Sequence, residues 1–445
     1  VETTHKTTHK ETGMTTKTAS ACLLGMVGLL GASLSSAPLA AQDDGMQGDE
    51  QSLEARVAEL EAALAEKPAA DAAPGWDFKW SNGFKLTSPD GDLAFKFGGR
   101  IQDDWAWYSA DDELEAAVGT FEDGTEFRRA RLFFEGELYE RVEFKAQYDF
   151  AGGDADFKDV YLGLVNLPVV GGFRVGQFKE PFSLEELTSS KYVTFLERAL
   201  PVEAFAPSRN SGFMLHRGEE RYTWAVGAFR PTDDFGDAKE RDEVNLTGRV
   251  TGLPWVSEDG SRLLHLGIAL SEREPTADSI RFRSRPESHL APRVVDTGSF
   301  GADGSTLVGL ESALVLGPLS FQGEYMQGAV DSLDGSDPEL DGFYVYGSWF
   351  LTGEHRPYKR SEGAFDRLKP GHPWGEGPGA WELAVRFSSL DLTDATVDGG
   401  SVDDVTVALN WYPFANVAWK ANYVRSDRDD LGQVDTFQMR FQVDF

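Results

Sequence analysis

The sequence predicts an all-β fold: a sixteen-stranded antiparallel transmembrane β-barrel with a short periplasmic coiled coil ahead of it. Three observations carry that expectation. From Trp76 onward apolar residues recur at every second position, the period of a strand with one wet and one dry face. The runs number sixteen, the even count that a closed bacterial barrel requires, and their connections are mostly long and short in alternation. The apolar faces are rich in aromatics while the opposite faces carry charge. In the last run Phe437, Met439, Phe441, Val443 and Phe445 oppose Gln438, Arg440, Gln442 and Asp444. A water-soluble sandwich turns its apolar faces inward, whereas this pattern favours lipid outside and water inside.

Composition removes several other classes. There are 42 basic against 74 acidic residues, a net charge of −32, which argues against nucleic acid as a partner. Cys22 is the single cysteine and falls in a segment expected to be removed, so disulfides, thiolate metal sites and cysteine catalysis drop out. Past that segment no run of eighteen apolar residues exists, which excludes a helical membrane protein.

The elements follow in chain order. Lys17 precedes the apolar stretch 19–34, and small residues at 37–41 mark a cleavage point, so residues 1–41 read as a secretory signal peptide; a membrane anchor would need a longer run. In residues 42–67, Leu53, Val57, Leu60 and Leu64 occupy a and d positions of a helix able to coil with its own copies. With about two heptads, a single solvated helix fits as well. Residues 68–75, rich in alanine and proline, form a spacer to the barrel, residues 76–445.

Strands are expected near 93–107, 126–138, 141–151, 156–166, 171–179, 211–217, 221–229, 243–252, 262–271, 305–314, 318–328, 341–352, 378–390, 402–412, 415–426 and 433–445. Long connections fall at 108–125, 180–210, 230–242, 272–304, 329–340 and 391–401, and short ones at 139–140, 167–170, 218–220, 315–317 and 413–414. The connection 353–377 is long on the short side, and periodicity offers no account of it. A propeller would repeat a motif at fixed period, and none is found.

The second run, FRRARLFFEGEL at 127–138, puts Arg129, Arg131, Phe133, Glu135 and Glu137 on one face. In a barrel those arginines point into the lumen, either to attract anions or to pair with Glu135, Glu137 or neighbouring strands. Alternation sends Arg128 to the other face unless a bulge re-aims it.

The order of several segments resembles one family, the phosphate-selective porins O and P. The resembling segments are GGRIQ at 98–102, FRRARL at 127–132, FKAQYDF at 144–150, GQFKEPFSLEELTSSKYVTFLER at 176–198, LTGEHRPY at 351–358 and GAWELAVRFSSLDL at 379–392, together with an F-x-R-x-K-P segment at 365–370. The resemblance implies a homotrimer of barrels in the outer membrane of a Gram-negative bacterium. In each, the third long loop, 180–210, folds inward to constrict a water-filled channel for phosphate or other small anions. It also implies that Arg100, Arg128, Arg129, Ser189 and Ser190 bind the anion, with Lys191 and Arg198 on the same loop. Arg131 and Lys158, on the second and fourth runs, complete the candidate pore lining.

The chemistry fits such a role, since arginine forks replace the water a phosphate sheds and hydroxyls orient it without trapping it. Two departures bear on selectivity. Glu186 stands where phosphate-specific members carry lysine, which puts a carboxylate at the expected constriction. Residues 68–445 also retain about −27 once the +1 of residues 1–41 and the −6 of residues 42–67 are set aside from −32. A general diffusion porin of weak selectivity and an envelope-tethering barrel are therefore the competing readings. Neither a cofactor nor a metal is expected, because His216, His265, His289, His355 and His372 lack ligand spacing and no nucleophile–base arrangement appears.

Overall fold

The computed structural model describes residues 75–80, 83–238 and 243–445. The expected signal peptide and coiled coil, and all of the spacer but its last residue, lie outside the described residues. No helix among the described residues is long and apolar enough to cross a membrane.

Sixteen strands form the barrel: β1 (Leu93–Ala110), β2 (Gly124–Leu138), β3 (Val142–Asp149), β4 (Asp156–Leu167), β5 (Gly171–Lys179), β6 (Arg209–Gly218), β7 (Tyr222–Arg230), β8 (Asn245–Val256), β9 (Arg262–Arg273), β10 (Phe300–Leu316), β11 (Leu319–Ser332), β12 (Glu339–Phe350), β13 (Ala380–Asp394), β14 (Val397–Phe414), β15 (Val417–Arg428) and β16 (Gly432–Asp444). Each pairs antiparallel with the next, and β16 returns to β1 from Asp444↔Arg100 to Val434↔Ala110. Closure leaves no barrel strand with an open edge, which a sheet in lipid needs because hydrocarbon offers no hydrogen-bond partners.

Burial is inverted relative to a water-soluble protein. On β16 Thr436, Gln438, Arg440, Gln442 and Asp444 are buried, while Phe437 and Val443 are exposed. On β8 Asn245, Thr247, Arg249 and Thr251 are buried between exposed Leu246 and Val250. Trp349, Trp381, Trp411 and Trp419 gather toward the end with the chain's short turns, and Trp107, Tyr423 and Phe437 toward the other, as two interfacial aromatic girdles do.

The structure corrects some boundaries. The expected long connection 391–401 is a two-residue turn, since β13 and β14 stay paired out to Asp394↔Val397, with Ala395 at φ 52°. Inside the connection 108–125 lies helix α1 (Asp112–Val118). Ahead of β1, Asp77–Trp80 and Phe84–Thr87 form a hairpin paired to it, a pair of strands not among the sixteen runs.

Three connections fill much of the lumen. The third connection at the long-loop end, 180–208, carries short helices α2 (Leu184–Leu187) and α3 (Leu200–Phe205) and buries Phe182, Phe195, Leu196 and Leu200. Burial of such side chains contributes about 1.5–3 kcal/mol each, but the loop's backbone must also find partners. The lumen wall supplies them. The Leu184 and Glu185 amides donate to the Glu324 carboxylate at 3.0 and 2.8 Å, and Leu200 N–H donates to Ser388 Oγ at 3.1 Å. Asn410 Nδ2 donates to the Thr194 carbonyl at 2.8 Å. The connection 274–299 also enters, with Glu287 buried and accepting from Arg386 Nε at 3.1 Å.

Candidate pore constriction

The arginines of β2 owe their positions to a β-bulge. Gln102 of β1 pairs with Arg129 while Asp103 pairs with Phe127, so Arg128 is the extra residue. An extra residue breaks the alternation, and Arg128 and Arg129 both reach the lumen side. Arg128 forms a two-pronged contact with Glu197 of the inward loop, Nε and Nη2 donating at 2.9 and 3.0 Å. Arg440 joins the same carboxylate at 2.7 Å and Arg129 lies 4.0 Å from it. Burial pushes the Glu197 carboxyl up, but Arg128, Arg440 and Arg129 outweigh it and hold it well below the usual carboxylate range.

Beside this cluster β1 meets the loop. Arg100 Nη1 donates to Ser190 Oγ at 2.8 Å and to Ser189 Oγ at 3.4 Å, which brings three of the sequence candidates together. Gln102 Nε2 donates to the Ser190 carbonyl at 3.0 Å, and Arg129 Nη1 donates to Gln102 Oε1 at 3.0 Å. Lys191 Nζ lies 3.6 Å from Asp444, and burial pushes its ammonium down to about 8 against that attraction.

The other candidates are placed differently. Arg131 pairs with Asp149 of the neighbouring strand at 2.6 Å, rather than with Glu135 or Glu137. Glu135 instead bridges Lys96 and Lys145 at 3.1 and 3.2 Å. Lys158 contacts Asp156 at 3.2 Å and alternates with Asp159 and Tyr161, which line the lumen cavity. Glu186 lies off the cavity, held by Arg198 at 2.8 Å and Lys179 at 3.1 Å.

The cavity beside the loop has a volume of about 1040 Å³. Its lining carries thirteen Lys or Arg and six Asp or Glu, a formal charge of +7 inside a chain of −32. Arg100, Arg129, Arg131, Lys191, Arg198, Ser189 and Ser190 belong to it. Lys96, Lys145, Lys179, Arg209 and Arg249 were missed by motif reading. The polar face Glu143, Lys145, Gln147 and Asp149 was nonetheless visible as a period of two on β3.

The connection left unexplained by periodicity, 351–379 between β12 and β13, folds into the lumen from the end bearing the short turns. Ala364 and Phe365 are buried, and the Arg356 guanidinium lies 3.5 Å from the Phe365 ring centre while donating to Gln322 Oε1 at 2.6 Å. Arg367 donates to the Ala415 carbonyl at 2.6 Å and pairs with Asp444. Tyr358 OH lies 2.6 Å from His265 Nδ1, and Arg249 Nη2 donates to the Gly363 carbonyl at 2.8 Å. Phe365 N–H donates to Thr188 Oγ1 of the inward loop at 3.4 Å, so connections from the two barrel ends meet inside.

Comparison with known proteins places this architecture. The family model described as phosphate-selective porin O and P matches residues 95–445. An uncharacterized protein of Caulobacter vibrioides is 30% identical over 383 residues, which is 83% of this chain and 75% of that protein. Porin O of Pseudomonas aeruginosa is 26% identical over 408 residues, covering 79% of this chain and 87% of that protein. Among solved structures, the anion-selective porin from Comamonas acidovorans is similar in fold, with a TM-score of 0.52 at 13% identity over 79% of this chain and all of that one. With a family match over residues 95–445, this chain belongs to the phosphate-selective porin O and P family and is an outer-membrane porin channel.

Proposed function

We propose that the channel prefers anions and passes phosphate and similar small anions passively, each subunit of a homotrimer acting as its own pore. The observation that carries the reading is the separation of charge: a cavity of +7 within a chain of −32. A lumen walled by low-dielectric protein focuses that field on a passing ion, and several moderate sites in series let the ion leave again. Arg100 with Ser189 and Ser190 is the contact best suited to an oxyanion, a guanidinium with two hydroxyls within 3.4 Å of it. The exposed apolar rows contact outer-membrane lipid, and residues 1–41 are removed on export.

A second reading, weak selectivity, is favoured by carboxylates that sit behind the lining. Asp149, Glu186 and Glu311 neutralise Arg131, Arg198 with Lys179, and Arg249. Reversal potentials across chloride and phosphate gradients separate the two. The expected result is anion preference, with phosphate permeant, and a drop in that preference in Arg100→Ala combined with Arg129→Ala. A wild-type reversal potential at the cation side, or an unchanged double variant, overturns the proposal.

A further inference from the structure

The connection 351–379 does not stay inside the lumen. Ala364, Phe365 and Arg367 are buried there, whereas Gly371, His372 and Trp374 are exposed. The crossing lies at the turn between β14 and β15. On the lumen side Arg367 Nη1 donates to the Ala415 carbonyl at 2.6 Å, and further along the chain Trp374 N–H donates to the Pro413 carbonyl at 2.9 Å. The Trp374 ring then stands edge-on to Trp411 at 5.6 Å and tilted to Phe414 at 6.4 Å. Trp411 continues the outward row of β14 that holds exposed Val405, Val407 and Leu409, so the chain has passed over the barrel rim onto the outer face.

This outer segment is firmly built. Gly377 N–H donates to the Pro373 carbonyl at 2.8 Å and Gly379 N–H to that of His372 at 3.0 Å. Gly375, at φ 102°, makes the bend between them. Two indoles of the girdle hold it from below, Trp381 and Trp411 both donating Nε1–H to the Pro378 carbonyl, at 3.2 and 2.8 Å. Yet Trp374 itself stays 60% exposed, beside Trp419 of the girdle at 50%. An indole joins a broad apolar body to one N–H donor, which suits it to the boundary between hydrocarbon and headgroups better than to water.

We propose that residues 371–378 are a membrane-binding hook. Trp374 seats in the headgroup region of the periplasmic leaflet, and this anchorage holds Phe365 and Arg367 inside the channel. Lipid is the occupant because the patch is continuous with the aromatic girdle: Trp374 packs on Trp411, which lies between Trp381 at 5.7 Å and Trp419 at 5.5 Å. With Arg367 bonded to the turn from within and Trp374 from without, the connection grips the rim from both sides, and the membrane keeps the outer grip closed.

The test is tryptophan emission of the full protein in phosphatidylcholine liposomes, with bromine on the upper acyl chains as the quencher in lipid and iodide as the quencher in water. One indole's signal is the difference between wild type and a conservative variant. Trp374→Phe reads the hook, Trp419→Phe the girdle, and Trp224→Phe the lumen, since Trp224 lines the cavity. Brominated lipid is expected to remove about half or more of the Trp374 signal, as for Trp419, and iodide to remove less of it than of the Trp224 signal. A Trp374 signal that follows Trp224 instead overturns the inference. So does one that neither quencher reaches, because a second copy or another protein then covers the hook. The hold on the lumen is read from single channels in planar bilayers. Trp374→Ser should raise open-channel noise while Trp374→Tyr, also amphipathic, keeps the wild-type level. Equal noise in wild type and Trp374→Ser overturns the claim that anchorage steadies the lumenal half.

Discussion

Glu186→Gln isolates the charge that departs from the phosphate-specific pattern. The Glu186 carboxylate lies 2.8 Å from Arg198 and 3.1 Å from Lys179, and both cations line the cavity while Glu186 does not. Burial pushes this carboxyl up, but Arg198 and Lys179 outweigh it and keep it ionised, so it cancels part of the field that an anion meets. Glutamine removes the charge and keeps the shape. The two cations stay in place, because Arg198 also donates to the Glu185 and Glu186 carbonyls at 3.2 and 3.1 Å, and Lys179 to the Glu186 carbonyl. A unit charge acts on an ion about 6 Å away with roughly 1–3 kcal/mol at an effective dielectric of about 20–50. In a water-filled lumen the lower end applies, and about 1 kcal/mol, of opposite sign for anion and cation, is roughly fivefold in each permeability and about 25-fold in their ratio. Reversal potentials across a salt gradient read that ratio directly. The shift should be toward anions and should fade at high salt. An unchanged ratio at low salt would refute the reasoning, since it would mean that Arg198 and Lys179 do not shape the permeation path. Glu186→Lys is the poorer test, because it sets a third cation beside these two with no carboxylate between them.

Three further outcomes are expected. Lys191 carries its charge below about 8 and loses it above, so anion preference should fall between pH 7 and pH 9, well before an ordinary lysine titrates. Lys191→Arg should hold the preference flat over that range. Arg128→Ala removes a two-pronged contact with Glu197 and leaves Arg440 on it, at a cost of about 1.5–3 kcal/mol to the seating of the inward loop. Channel noise should rise, and the temperature of barrel unfolding on gels should drop. Arg367→Ala detaches the connection 351–379 from Asp444 and from the Ala415 carbonyl, and open-channel conductance should increase. A conductance equal to wild type would show that this connection does not narrow the path.

Much of the fold is legible in the sequence. Period-two alternation marks each strand, because successive side chains must face opposite sides of a sheet, and an even number of runs then implies closure. The same logic put Arg100, Arg129 and Arg131 on lumen faces. Alternation alone sends Arg128 to the other face, and whether a bulge re-aims it is settled only by the pairing, in which Arg128 is the extra residue of β2 opposite the Gln102–Asp103 step. The turn at Asp394–Val397 was lost for a related reason. Here the pattern inverts, with inward Leu390, Leu392 and Val402 apolar and buried and outward Asp391, Thr393 and Asp403 polar, so the apolar-outward signal ends before the sheet does.

Composition and periodicity in the sequence by itself determined that the chain is β throughout its barrel, wet inside and greasy outside, and acidic in total. Where the charge lies was decided only by the tertiary structure, because electrostatic fields depend on distances that sequence spacing does not encode. Glu197 and Arg128 are far apart in the chain and 2.9 Å apart in space. Glu186 looked like a repulsive group in the path and proved to be a counterion behind Arg198 and Lys179. The connection 351–379 reads as an irregular loop, yet it enters the lumen because Phe365, Arg356 and Arg367 find apolar cover and acceptors on strands that come together only when the barrel closes.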